Sequence, residues 1–197
     1  MDQHEERAGD DGLKADLERY LAADAAREAA LADAAGEDPG EVHPGLLPLV
    51  WLLGSWRGEG VAAGAPGEPD LPVTLEANFE VAGGLALAYA ARTLVGGRVL
   101  TAERGFWRAT PAGVEVVLAQ ASGVLEVLIG VPAGARLELV SDLVARTATA
   151  PSDTASTRLY GLVERQLLFA VDVATDGQPL RARLSGAMDR APAAPPT

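Results

Sequence analysis

The side chains that usually do covalent or metal chemistry are scarce in this chain. It has no cysteine and two histidines, His4 and His43. Without thiols there is no disulfide, no thiolate nucleophile and no Cys-ligated zinc or iron. With no histidine after residue 43, a Ser–His–Asp or Cys–His relay cannot form in the body of the chain. Carboxylates and arginines remain. Glu103 and Arg104 are neighbours, and neighbours on a strand point to opposite faces. Asp172 and Asp176 lie near a turn. Neither group reads as an acid–base pair, and carboxylates in a small β-domain read as surface residues. Towards the C-terminus, Arg181, Arg183 and Ser185 alternate with Leu180, Ala182, Leu184, Gly186 and Met188. Period-2 alternation assigns the arginines to the water-facing side.

The elements that would position any site begin with a short apolar run, Leu46 to Leu53, which reads as a turn of helix. It leads into Gly54-Ser55-Trp56-Arg57-Gly58-Glu59-Gly60. Glycine admits a sharp bend and close backbone approach. Tryptophan supplies a large apolar body with one polar handle. Gly54, Trp56, Gly58 and Gly60 together suit the first strand of a barrel where it passes over a closed end, with Trp56 buried against the Leu46–Leu53 plug.

From Trp56 onward, short apolar runs alternate with glycine-containing turns. Strands are predicted near 55–62, 72–80, 84–93, 99–108, 113–119, 123–130, 135–140, 144–149, 155–162, 166–174 and 180–189. Turns fall at Ala82-Gly83-Gly84, Gly96-Gly97, Pro111-Ala112-Gly113, Ser122-Gly123, Pro132-Ala133-Gly134, Glu164-Arg165 and Asp176-Gly177. This texture predicts an all-β fold, a closed antiparallel up-and-down barrel of about ten strands, because closure removes exposed sheet edges.

The charge is unevenly placed. Residues 1–44 hold 13 acidic and 4 basic side chains, out of 28 and 16 in the whole chain of 197 residues. The acidity therefore belongs to an N-terminal extension over residues 1–42. Residues 1–12 read as disordered, residues 13–35 as a solvated helix with Leu13, Leu17, Tyr20, Leu21 and Leu31 on one face, and Gly36 to Gly40 as a linker. The barrel is assigned to residues 43–190, and the proline-rich residues 191–197 to a disordered tail. No basic face suits nucleic acid or an anionic membrane. No apolar run has the length of a membrane span, and the acidic N-terminus does not look like a secretory signal. A cytoplasmic location is the expectation. Oligomeric state stays open, with a homodimer as one option.

Four ordered stretches resemble the nitrobindin family. His43-Pro44 with Leu46 to Gly60 resembles its opening, and Leu100 to Arg108 (LTAERGFWR) its L-x-x-E-x-G-[FY]-x-R strand pair. Val114 to Gly130 (VEVVLAQASGVLEVLIG) is similar to its V-E-L-V-L-A-H-P-x-G-x-x-E segment. Gln178-Pro179-Leu180 with Leu184-Ser185 is similar to its Q-P-L-x-x-H-L-x segment. The resemblance covers roughly residues 43–190. It implies a barrel similar to fatty-acid-binding proteins that holds haem b through a histidine, binds nitric oxide and isomerises peroxynitrite to nitrate.

Carried over residue by residue, the resemblance puts Arg183 where the family has its ligand histidine. Gln120 stands where a second family histidine follows the V-L-A run. Gly67, in Ala65-Pro66-Gly67, stands for a threonine in a Y-P-T turn. A guanidinium has no lone pair for iron. Met188, Tyr89 and Tyr160 are the other barrel donors; the strand period sets Met188 away from the Arg183 side, and the tyrosines read as wall residues. The resemblance turns Arg183 into the cleft, against the period, and an inward arginine needs an anionic partner such as Glu59, Glu76, Glu126 or a ligand carboxylate. The sequence thus predicts a nitrobindin-like barrel with no haem cofactor and no enzymatic activity, which takes either a small apolar or amphipathic ligand, such as a carboxylate, or none. The alternatives are a haem peroxynitrite isomerase with an unusual axial ligand, and an interaction protein acting through the acidic arm.

Overall fold

Alternation of buried and exposed side chains sets the architecture. Val73, Leu75, Ala77 and Phe79 are buried while their neighbours face outward, and the same period runs through strand after strand. In the computed structural model, residues 42–65 and 67–192 are described. The expected acidic helix over residues 13–35 and the tail from residue 193 lie outside the described residues.

Among the described residues the chain forms a 3₁₀ helix, Pro44–Leu52, and ten strands: β1 (Gly54–Ala62), β2 (Leu71–Gly83), β3 (Ala86–Val95), β4 (Arg98–Thr110), β5 (Gly113–Gln120), β6 (Val124–Pro132), β7 (Arg136–Arg146), β8 (Asp153–Val163), β9 (Gln166–Thr175) and β10 (Arg181–Arg190). Each strand pairs antiparallel with the next, and β10 pairs back onto β1 from Trp56↔Arg190 to Ala62↔Leu184, closing the barrel. The closed meander expected from the sequence is the observed fold.

Two of the predicted strands, 135–140 and 144–149, are one. The register against β6 shifts between Val127↔Leu143 and Leu128↔Ser141, which leaves Asp142 as the extra residue of a bulge. The bulge bends β7 without ending it, so a polar interruption at Ser141-Asp142 imitates a turn. The expected turns at Gly96-Gly97 and Glu164-Arg165 are tight hairpins with positive φ at both central residues, 54° and 80° in one and 49° and 76° in the other. That is the backbone twist a two-residue hairpin requires.

One end of the barrel is stopped by the 3₁₀ helix. His43 caps it, its Nδ1 accepting from the Gly45 amide at 3.0 Å. Leu46, Leu49 and Leu52 point into the barrel and are fully buried. Trp56 is buried against them, its indole N–H donating to the Leu52 carbonyl at 2.7 Å. Arg190 lies over the indole at 4.4 Å from its centroid. Gly58 is required by contact: a Cβ there would run into the Ala187 carbonyl oxygen of β10. Above the plug runs a chain of ring contacts, with centroids 4.8 Å apart for Phe79–Tyr89, 5.6 Å for Tyr89–Trp107, 5.0 Å for Trp107–Tyr160 and 6.0 Å for Tyr160–Phe169.

Candidate functional site

Beyond these rings, towards the end opposite the plug, the barrel interior opens into a cavity of 140 Å³. Leu75, Ala77, Phe169, Val171, Leu184 and Met188 form its apolar side. The other side is polar and ionic. On β8, Ser156, Arg158 and Tyr160 share the inward face; Arg158 is 3% exposed, while its neighbour Leu159 is 38% exposed. Leu159 and Arg158 thus stand in the reverse of the hydrophobic expectation.

Two carboxylates hold Arg158 there. Glu103 on β4 accepts a two-pronged pair from Arg158, Nη1 at 2.7 Å and Nη2 at 2.9 Å, and the Tyr89 hydroxyl at 2.7 Å. Glu126 on β6, as buried as the arginine, accepts Arg158 Nη2 at 2.5 Å, Gln120 Nε2 at 2.8 Å and the Ser156 hydroxyl. Burying charges is costly unless they are paired and hydrogen-bonded, and here each carboxylate accepts three bonds. Two donors are left over: Arg158 Nε and Trp107 Nε1 are buried with no hydrogen-bond partner.

The surroundings shift these groups from their ordinary values. Burial works to raise the Glu103 carboxyl, but the charge and hydrogen bonds of Arg158, with the Tyr89 hydroxyl, outweigh it and hold Glu103 below the usual carboxylate range. Burial works to lower the Arg158 guanidinium, and the adjoining carboxylates more than reverse it. Burial, and then the charge of Glu103, drives the Tyr89 phenol well up. Burial also raises Tyr160, against the opposing charge of Arg158. Both phenols are therefore neutral at pH 7, and Tyr89 donates to Glu103.

Arg183 lies at the cavity mouth, half exposed, its Nη2 3.3 Å from Asp153 Oδ1. Two expectations need correction here. Its anionic partner is Asp153 rather than Glu59, Glu76 or Glu126. The strand period also fails at this point: pairing with β9 passes from Ala182↔Asp172 to Leu184↔Val171, so Arg183 is a bulge residue. The bulge brings Arg183 and Leu184 to the same side, and Met188, expected to face away from Arg183, is buried and lines the same cavity. Glu76 accepts Arg57 and Arg92 at 2.8 and 2.6 Å near the mouth.

Gln120 lines the cavity through its bond to Glu126. Gly67 does not line it. It lies in the loop between β1 and β2, with φ of 89° and open space around it. Gly54, Trp56, Gly58 and Gly60 belong to the first strand, and Trp56 packs at the plug rather than at the cavity. Glu103, read from sequence as a surface carboxylate, is an interior ion-pair partner. Arg158 and Ser156 were not singled out at all. The signal that could have found them is parity with Tyr160 on one strand.

A closed ten-stranded antiparallel barrel, plugged at one end and holding an interior cavity towards the other, has the architecture in which small-molecule sites commonly occur. Within that class the relationship is specific. Residues 45–190 match the family described as THAP4-like, heme-binding beta-barrel domain, and the chain belongs to it. A ferric nitrobindin-like protein of Beutenbergia cavernae is 35% identical, over 77% of this chain and 97% of that one. A peroxynitrite isomerase of Parafrankia sp. is 37% identical, over 77% of this chain and 82% of that one. The crystal structure of Rv2717c from M. tuberculosis matches with a TM-score of 0.68 at 30% identity, covering 77% of this chain and all of that one. The resemblance to nitrobindins is thereby established as membership of their family.

Proposed function

We propose that this chain is a non-haem, non-catalytic member of the family, a barrel that binds a small ligand in the cavity of β1–β10. The observation that carries this reading is Arg183, a bulged cation paired with Asp153 at the position the resemblance assigns to the ligand imidazole. The donor set does not fit a histidine-ligated haem. The only histidine among the described residues, His43, caps the 3₁₀ helix at the plugged end. Tyr89 Oη is engaged with Glu103, and Tyr160 is a neutral phenol beside the Arg158 cation. A cation at the mouth also repels ferric iron. The cavity, at 140 Å³, is below the roughly 300–1,000 Å³ of sites that take drug-sized ligands.

The second reading is a haem peroxynitrite isomerase with Tyr89, Tyr160 or Met188 as axial ligand. The family description and the activity in the name of the Parafrankia relative favour it. The two separate in the protein purified from cells supplied with haem precursor. The non-haem reading expects a protein without a Soret band that leaves peroxynitrite decay at the rate of a control protein. Stoichiometric haem with accelerated decay would establish the second.

A further inference from the structure

We propose that the cavity is built for a small protonated amine on an apolar body, and not for the carboxylate ligand that the barrel's likeness to fatty-acid-binding proteins suggests. This rests on the reading of the cavity as a non-haem ligand site and names the ligand class.

The first observation is the state of the buried cation. Arg158 is the guanidinium a ligand carboxylate would seek, but both of its terminal nitrogens already donate to protein carboxylates. Nη1 keeps one further N–H, and the Nε–H is buried without a partner. An incoming carboxylate would have to lie beside Glu103 and Glu126, and like charges at such range disfavour one another. The mouth arginines are engaged as well, Arg92 with Glu76 and Arg183 with Asp153. The buried cluster of Glu103, Glu126 and Arg158 has a formal charge of −1, and the whole lining has four carboxylates to three guanidiniums. A cation entering the cavity balances that excess.

The second observation is independent of the acids. Thr93 on β3 is 4% exposed and lines the cavity. Its backbone is paired in the sheet, but its side chain makes no hydrogen bond to a described residue, so the hydroxyl is a polar group held at the cavity without a protein partner. A hydroxyl oxygen accepts from an ammonium. The ring walls of Tyr89, Tyr160 and Phe169 add electron-rich faces, which attract a cation and repel an anion.

Size sets the body of the ligand. An apolar cavity of about 150 Å³ holds benzene, so 140 Å³ suits one ring or a short branched chain. The amine end belongs against Glu103, Glu126 and Thr93, and the apolar end against Leu184, Met188 and Val171.

The test compares three probes of one shape, benzylamine, benzyl alcohol and benzoate, titrated into the full chain at pH 7 and followed by amide NMR shifts. Benzylamine is expected to saturate shifts in β3, β4, β6 and β10, about tenfold tighter than benzyl alcohol, with no saturation by benzoate. Thr93→Val, which keeps the shape, should weaken benzylamine several-fold. Glu103→Gln, if it folds, should abolish the preference for amine over alcohol. Tighter binding of benzoate, equal binding of all three, or binding of none overturns the amine assignment. Those outcomes leave the non-haem reading standing, which fails separately, on a Soret band.

Discussion

The two ends of the barrel are built on opposite principles. At the plugged end, apolar side chains fill the space and the buried Trp56 indole N–H is satisfied by the Leu52 carbonyl. Towards the mouth, an arginine and two glutamates sit inside the barrel, held by a tyrosine, a serine and a glutamine. The first arrangement gains its stability from burial itself. The second gains little, because desolvation offsets much of the attraction in a buried ion pair. It fixes the shape and charge of the cavity. Stability is therefore concentrated at the plug and buried charge towards the mouth, and substitutions should separate the two.

The largest expected effect is at the plug. Trp56→Ala should cost about 3–5 kcal/mol, the range for truncating a large buried aromatic side chain, and urea unfolding should show the midpoint falling or the domain failing to fold. An unchanged midpoint would mean that the plug is not a stability centre. At the mouth, Arg158→Met should cost about as much, roughly 3–5 kcal/mol, because it leaves two carboxylates buried without their cation. The comparison sharpens in the triple variant Glu103→Gln, Glu126→Gln, Arg158→Met. Removing all the charges together should recover most of the loss, whereas no companion change at the plug should rescue Trp56→Ala.

These two regions also differ in how much of each could be read from sequence. The plug was legible because every signal agreed there: the Leu46–Leu53 run, the glycines and the lone Trp56 all need the same geometry. The cavity wall was not, for three physical reasons. On β6, Val124, Glu126 and Leu128 face inward while Leu125, Val127 and Ile129 face outward, so both faces are apolar and the period is uninformative. On β8, inward Arg158 alternates with outward Leu159, and hydropathy points the wrong way. On β10, a bulge at Arg183 shifts the parity by one, which nothing in the local sequence marks. The resemblance placed Arg183 towards the cleft where the period could not. Glu103 could not have been paired with Arg158 from sequence, since the two are 55 residues apart.

A smaller effect is expected from acid. Glu103 is held below its ordinary value in the folded protein, so its contribution is present above the unfolded carboxyl value of about 4.3. It is lost as pH falls through the lower folded value. Urea midpoints between pH 6 and pH 3 should fall more steeply in the wild-type protein than in the charge-free triple variant; parallel curves would show that the cluster does not set acid stability. Smaller again is Gly58→Ala, where the Cβ meets the Ala187 carbonyl oxygen. The strands must part slightly, at about 1–3 kcal/mol, and thermal unfolding should register the loss.

In the proposed function Arg183 takes the place of the family's haem-ligating histidine, and the cavity takes no haem. Hemin titration of the wild-type protein beside Arg183→His, followed by absorbance, tests it most directly. The expected result is no histidine-ligated ferric spectrum in the wild type and its appearance, weak because Gln120 and Gly67 also depart from the family pattern, in Arg183→His. Saturable one-to-one haem binding by the wild-type protein, unchanged by substitution at Arg183, would contradict the account and transfer the axial ligand to Tyr89, Tyr160 or Met188.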